Sequence, residues 1–391
     1  MGGRLPGARA EGKENFGRAA GVRGKARRGL VKGGEAGHGW GRAERGRSRP
    51  MSSMETHFSY PSLRAWLEAA GGAVPFRRFM EAALYDPGFG YYGRRIGTVG
   101  ARGDFATSAS LSGRLARAVA AWMAEEGQAG GCREVIEIGP GSGQLHQALR
   151  QALGWRGRWH WRSHLVERSA VLAAEQRAAL GQGRAQWHTD PAAALAAAGG
   201  KALIFSNELV DAFPATLLQR QDGVWQEVWL ELRPSGSLVE ALRPAGDCGT
   251  SLVAADFAEG QRVECHAGYR DWLEAWRPQW RAGTMLTIDY GALGPQLYRR
   301  RPGGSLRGYR RHQRLEGLAL YGDPGSADLT ADVNFSDLLR WGKAAGLANV
   351  ALESQADFLA RYSAGRGEID ARLADPGEAG GAFLCLQQRP V

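Results

Sequence analysis

Cysteine is scarce in this 391-residue chain. Cys132, Cys248, Cys265 and Cys385 lie far apart and form no C-x-x-C pair, which excludes a zinc ribbon and a disulfide framework. So few thiols fit a reducing compartment. No apolar run approaches the ~18 residues needed to cross a bilayer, and no secretory apolar segment is present. H-E-x-x-H, G-x-S-x-G and phosphate-loop patterns are missing, which removes the common hydrolase chemistries. The expectation is a soluble protein of the bacterial cytoplasm with no membrane insertion.

Beyond the first 50 residues, an excess of positive charge is also lacking. The chain carries +10, but residues 1–50 hold 13 Lys or Arg against 4 Asp or Glu, leaving about +1 for the rest. A general basic face is therefore not expected, and nucleic acid is not the expected partner. Residues 1–50 are rich in Gly and Arg and poor in large apolar side chains, so disorder is expected there. One reading is a basic nucleic-acid-binding arm. Another is a transit peptide to the mitochondrial matrix, against which Glu11, Glu14, Glu35 and Glu44 count. The preferred reading is non-native sequence upstream of a start at Met51 or Met54.

Residues 51–133 read as a helical region. Leu63, Trp66, Leu67 and Ala70 recur at helical spacing, as do Phe76, Phe79, Met80 and Ala83. A glycine-rich stretch at 86–103 reads as loop or a short hairpin, and 111–126 as helix. From 134 onward strand and helix alternate. Strands are expected at 134–138, 164–167, 185–188 and 202–206, with helices at 144–153, 170–180 and 191–198. This βαβα rhythm implies a parallel sheet covered on both faces. Antiparallel strands follow at 216–220, 224–232 and 238–242. A helix at 268–280, a strand at 284–289, a helix at 335–345 and strands at 350–352 and 383–387 complete the chain. The fold expected is α/β: a seven-stranded, mostly parallel, Rossmann-like sheet over 134–391. An antiparallel insertion at about 214–280 lies within it, preceded by the N-terminal helical region.

The strand at 134–138 runs into Gly139-Pro-Gly-Ser-Gly143. Gly139, Gly141 and Gly143 give G-x-G-x-G, with Gln144 where a dinucleotide fold needs glycine. Bare backbone and a helix N-terminus suit a carboxylate-bearing cofactor. Glu137, just before the turn, suits the ammonium of a methionine moiety. Glu167, ending the next strand, is placed to accept ribose hydroxyls. Asp190 suits either the adenine amine or a helix N-cap before Pro191. Asn207 and Glu208 follow the fourth strand and would face the cofactor's sulfur, with Asp211 close behind. Asp289 ends the fifth strand similarly. Trp66, Trp272 and Trp276 read as core, and His312 as a surface-loop histidine.

Six segments together resemble the MidA family of class I methyltransferases. They are FMEAALYDPGFGYY at 79–92, GDFATS at 103–108, the glycine turn at 137–143, SNELVDA at 206–212, IDYG at 288–291 and DLTADVNF at 328–335. They run in family order over roughly residues 59–391. The family's GDFxTSP reads GDFATSA here, with Ala109 in place of proline. The family includes a mitochondrial complex I assembly factor that methylates an arginine. The resemblance implies S-adenosyl-L-methionine as cofactor and a pocket lined by Gly103, Asp104, Thr107 and Ser108. It also implies an insertion that shapes the substrate side. The acceptor it implies is an arginine of a partner protein, such as a respiratory-complex subunit. Glu208, with Asp211 and Asp289 behind it, would orient that guanidinium. A non-catalytic assembly chaperone that holds the same cofactor is the first alternative. A methyltransferase for a small molecule or RNA is the second, against which the acidic Glu208 and Asp211 count.

Overall fold

The computed structural model describes residues 56–57, 61–94, 113–181, 183–311, 313–363, 375 and 379–391. Residues 1–50, Gly103, Asp104, Thr107, Ser108 and His312 lie outside them, so the expectations placed there meet no structure.

The N-terminal region is less uniformly helical than its periodicity implies. Strands β1 (Thr56–His57) and β2 (Ala73–Pro75) accompany helices Pro61–Ala69, Phe76–Tyr85 and Gly113–Gly130. A helical turn, Tyr91–Arg94, stands where a loop or hairpin is expected. Four residues are too few to display a period.

The core begins at β3 (Glu134–Ile138), followed by β4 (Arg162–Val166), β5 (Gln186–His188) and β6 (Leu203–Asn207). Helices Gln144–Ala152, Ala170–Leu180 and Pro191–Ala197 alternate with them, and a further helix, Gly154–His160, precedes β4. The antiparallel run is β7 (Thr216–Gln221), β8 (Val224–Leu232), β9 (Ser237–Pro244) and β10 (Arg262–Cys265). After helix Ala267–Trp276 the chain returns to the core as β11 (Met285–Ala292). Three short strands, β12 (Arg307–Arg310), β13 (Gln313–Leu315) and β14 (Asp328–Thr330), form a separate small sheet that the sequence does not announce. Then come β15 (Val333–Asn334), β16 (Leu347–Ser354) and β17 (Phe383–Pro390).

The main sheet runs β16-β17-β11-β6-β3-β4-β5, with β15 paired to β11. Only β17 runs against its neighbours. The chain moves outward from β3 to β4 and β5, then crosses back to β6 and β11. That reversal between β3 and β6 opens a crevice at the strands' carboxyl ends, where such sheets bind ligands. All five residues of β3 are buried, as a strand covered on both faces requires. Ile136, Ile138 and Ile204 pack on one face with Trp276, Trp280 and Leu338. Val135, Leu203, Phe205, Leu286 and Ile288 pack on the other with Leu115, Val119 and Trp122 of helix Gly113–Gly130.

The second sheet runs β1-β9-β8-β7-β10, with β2 on β8. N-terminal strands thus complete the sheet of the insertion. Leu63, Leu67, Phe76 and Phe79 share one core with Leu217, Val228, Leu230 and Leu238. This shared layer is braced by Glu264, which is fully buried. It accepts hydrogen bonds from Ser305 N (2.9 Å), Ser305 Oγ (2.7 Å), Leu306 N (3.1 Å) and Tyr298 OH (3.0 Å). Removing the carboxylate strands these donors in the interior. We expect Glu264→Ala to lower unfolding free energy by ~3–5 kcal/mol, measured by urea denaturation.

His266, beside it, is buried, and its Nε2 has no partner among the described residues. Burial pushes its pKa down to about 4. A histidine depressed below its unfolded value near 6.5 stabilises the fold fully above pH 6.5. That stability is lost as pH falls from 6.5 towards 4, by up to ~3 kcal/mol. Urea curves at pH 7 and pH 4.5 should show a larger acid loss in the native chain than in His266→Leu. Equal losses would refute the assignment.

Candidate functional site

The glycine turn at the end of β3 is built from backbone. Gly139, Gly141 and Gly143 have φ of +67°, +55° and +78°, a region L side chains rarely adopt. A Cβ on Gly139 would lie 2.8 Å from Leu209 Cδ1, and one on Gly143 3.2 Å from Gln176 Cγ. Gly143, as N-cap, has no side chain to cap the helix it introduces. Its first N–H groups thus lack a side-chain cap on the site side. Glu137 is only 2% exposed, and its Oε2 lies 2.8 Å from Nδ1 of the buried His146. That histidine partner, on the helix after the turn, is not foreseen from the sequence.

Glu167 stands where β4 ends. Its Oε1 accepts the Ser169 N–H (2.8 Å) and its Oε2 accepts Gln176 Nε2 (3.1 Å). Gln176 is itself locked, donating to the Gly141 carbonyl (2.7 Å) and accepting from Trp187 Nε1 (3.0 Å). One buried amide therefore joins the glycine turn to the carboxylate. Burial raises the Glu167 carboxyl above its usual range. Asp190 is exposed and caps helix Pro191–Ala197 by accepting Ala193 N–H at 2.9 Å. The cap engages Oδ1 alone, so it is compatible with the adenine reading as well.

A second turn follows β6. Glu208 has φ +53°, the left-handed region, which costs a non-glycine residue about 1 kcal/mol or more. Its N–H continues the sheet ladder to Ile288 O (2.9 Å), and Asn207 Nδ2 donates to its Oε1 (3.1 Å). Asp289 Oδ2 then gathers the N–H groups of Leu209 (3.2 Å), Val210 (2.8 Å) and Asp211 (3.4 Å), while Oδ1 accepts from Tyr290 N (3.0 Å). Asp289 has no exposed surface. Both its oxygens accept from backbone N–H groups, which hold the Glu208–Asp211 turn in place. Asp211 is buried too, with Thr330 Oγ1 (2.8 Å) and the Tyr290 hydroxyl on Oδ2. Burial raises the Asp211 carboxyl, and burial followed by repulsion from Asp211 and Glu208 raises that of Asp289. Two acceptors here, Asn207 Oδ1 and Asp211 Oδ1, are buried without a partner among the described residues.

Other residues at this edge were not singled out by sequence reasoning. Tyr85 and Tyr92 stack at 5.6 Å. The Tyr85 hydroxyl donates to Ala212 O (2.8 Å) and that of Tyr92 to Asp328 Oδ1 (2.8 Å). Ser169 Oγ donates to Tyr92 O (3.3 Å), and the Arg168 guanidinium lies 5.7 Å from the Tyr85 ring. Arg307 lies 4.8 Å over the Tyr290 ring and donates to Asp332 Oδ1 (2.6 Å). The one available signal is that Tyr92, Tyr290, Thr330 and Asp332 all fall within the family-like segments.

These residues fit S-adenosyl-L-methionine. The bare, left-handed glycine turn is a cradle that a Cβ would fill. Glu167 is oriented beforehand, as two ribose hydroxyls require, and the partnerless Asn207 Oδ1 can accept from an ammonium or amide. Among the described residues no group of three His, Cys, Asp or Glu side chains is placed to hold a metal.

Comparison with known proteins agrees. A family model described as S-adenosyl-L-methionine-dependent methyltransferase matches residues 115–352. A superfamily member from Burkholderia thailandensis, solved bound to S-adenosyl-homocysteine, is 30% identical with a TM-score of 0.74, covering 84% of this chain and 90% of that one. The mitochondrial protein arginine methyltransferase NDUFAF7 of Danio rerio is 29% identical over 69% of this chain and 68% of its own. Its Drosophila melanogaster homologue is 27% identical over 74% and 72%.

Proposed function

Because the chain belongs to the S-adenosyl-L-methionine-dependent methyltransferases, we propose that it methylates an arginine of a partner protein, with a respiratory-complex subunit as the class of partner. The observation that carries this reading is the acidic turn after β6. Asn207, which donates to Glu208, and Asp211 each have there a buried side-chain oxygen with no partner among the described residues. A guanidinium can supply the donors that these two oxygens lack among the described residues. The names of the NDUFAF7 relatives point to the same acceptor.

The residues proposed to hold the cofactor are Glu137, the backbone at Gly139, Gly141 and Gly143, Glu167, Asp190 and Asn207, with Gly103, Asp104, Thr107 and Ser108 from the family likeness. When bound, S-adenosyl-L-methionine supplies a methyl group on a sulfonium. Arginine remains protonated at working pH, so its nitrogen is a poor nucleophile until charge is drawn away from it. Glu208 would accept an N–H from a guanidinium nitrogen other than the reacting one and draw the positive charge towards it. Asp211, its carboxyl raised by burial, receives the proton that the methylated nitrogen sheds, while Tyr290 and Thr330 hold its other oxygen. Asp289 keeps both groups in register through backbone N–H groups. Alignment of nucleophile and methyl is the main contribution required.

The test is methyl transfer from labelled S-adenosyl-L-methionine to candidate partner proteins, read by mass spectrometry. We expect label on arginine. Label on another residue, on RNA or on a small molecule would reject the acceptor assignment. Uptake of cofactor with no transfer to any acceptor would favour the chaperone role.

A further inference from the structure

From Gln144 to Val166 the chain reads QLHQALRQALGWRGRWHWRSHLV, without one acidic residue. At its centre lies the short helix Gly154–His160. Trp161, just past its end, is buried against Gly127, where an added Cβ would fall 2.3 Å from the indole. The two remaining tryptophans point outward: Trp155 is 65% exposed and Trp159 84%. Four residues apart, they share one helix face. Arg156 and Arg158 are exposed between and beside them, with the Arg156 guanidinium 5.1 Å from the Trp155 ring. Arg150 donates to the Arg184 carbonyl at 2.9 Å, and its guanidinium lies close enough to those of Arg184 and Arg158 to be repelled by both. A groove of about 600 Å³ between this helix and Gly113–Gly130 has Arg117, Arg156 and His160 among its lining residues.

We propose that this surface docks the protein on an anionic phospholipid bilayer. Indole rings favour the boundary between water and hydrocarbon, and guanidinium groups pair with lipid phosphates. The exposed helix Gly154–His160 carries two arginines and no carboxylate, which complements an anionic surface; Arg162 beyond it is paired with Glu134. The rings protrude, so a fluid bilayer can receive them without a prebuilt pocket, which a folded protein partner would have to supply. Single-stranded nucleic acid instead favours a groove that follows its backbone. The helix adjoins Arg162, the first residue of β4, which pairs with Glu134 at the start of β3. Docking would thus engage the amino ends of the strands, while Gly139 and Glu167 lie at their carboxyl ends, clear of the bilayer. Peripheral contact is sufficient, since no helix among the described residues is long and apolar enough to span a membrane. The proposal does not depend on the methyltransferase reading.

The test uses the full chain with vesicles of phosphatidylcholine alone, or of phosphatidylcholine with phosphatidylglycerol, each containing brominated acyl chains that quench inserted indoles. We expect sedimentation and tryptophan quenching with the anionic vesicles only. The quenching should fall by half or more in Trp155→Ala/Trp159→Ala. Arg156→Ala/Arg158→Ala should weaken partitioning by roughly 30-fold. Thermal midpoints and cofactor binding should stay unchanged in both variants, because the substitutions are exposed and remote from the site. Quenching that survives the double tryptophan change would assign vesicle binding to residues 1–50 and overturn the proposal. So would absence of binding, or binding of single-stranded RNA through the two tryptophans without vesicle binding.

Discussion

Glu208→Gln should lower the turnover of methyl transfer by ~10²–10⁴-fold while leaving cofactor affinity within a few-fold of native. Glutamine keeps the length, the hydrogen bond from Asn207 Nδ2 and about the same cost at φ +53°. What it removes is the charge that draws positive charge away from the reacting nitrogen. A loss in KM alone would mean that Glu208 only binds the acceptor, and a fully active variant would eliminate its role. Glu208→Gly offers a contrast. Relieving a left-handed backbone should add about 1 kcal/mol of stability while activity falls as far or further. A stabilised but inactive protein would show that strain is retained at this turn for function.

Glu167→Ala should weaken S-adenosyl-L-methionine binding by ~10²-fold or more in calorimetry. Two hydrogen bonds to a charged acceptor are lost at ~1.5–3 kcal/mol each, offset in part by water entering the gap. The variant also leaves Ser169 N–H and one of the two Gln176 Nε2 protons without an acceptor, so a stability loss of ~1–3 kcal/mol should accompany it. Glu167→Gln, which can still accept one hydroxyl, should fall between. An unchanged dissociation constant in Glu167→Ala would remove ribose recognition from this residue. The glycine turn would then stand as the remaining anchor of the cofactor.

The parts of the site that were legible beforehand are those whose signals are local. Val135, Ile136 and Ile138, followed by alternating glycines, identify β3 and its turn, because the strand is covered on both faces and the turn needs φ above zero. Helix Ala170–Leu180 has the bounds expected of it, and in the structure Ser169 caps it, accepting Leu172 N–H at 3.3 Å. Asp190 shows where local reading stops: the same carboxylate before Pro191 suits a ligand or a cap, and only coordinates display the cap. Strands β2, β15 and β12 to β14 are two to four residues long. They exist through partners that pair with them, and so carry no period of their own. Asp289 ends the strand that the sequence implies at 284–289, but β11 continues to Ala292. The partners of Asp289 Oδ2 are backbone N–H groups 78–80 residues earlier in the chain.

The sequence by itself determined the kind of protein this is. Apolar strands, glycine spacing and capping residues act over a few positions, and their order along the chain is enough to specify a parallel sheet with a cofactor turn at its edge. Tertiary structure alone decided which polar groups are left for a ligand. A carboxylate's task depends on what occupies its oxygens. Asp289 is taken up by backbone, Asp211 is half taken up by Tyr290 and Thr330, and Glu167 is tethered by Gln176. These partners come from distant parts of the chain, and desolvation acts only once the chain has closed around them.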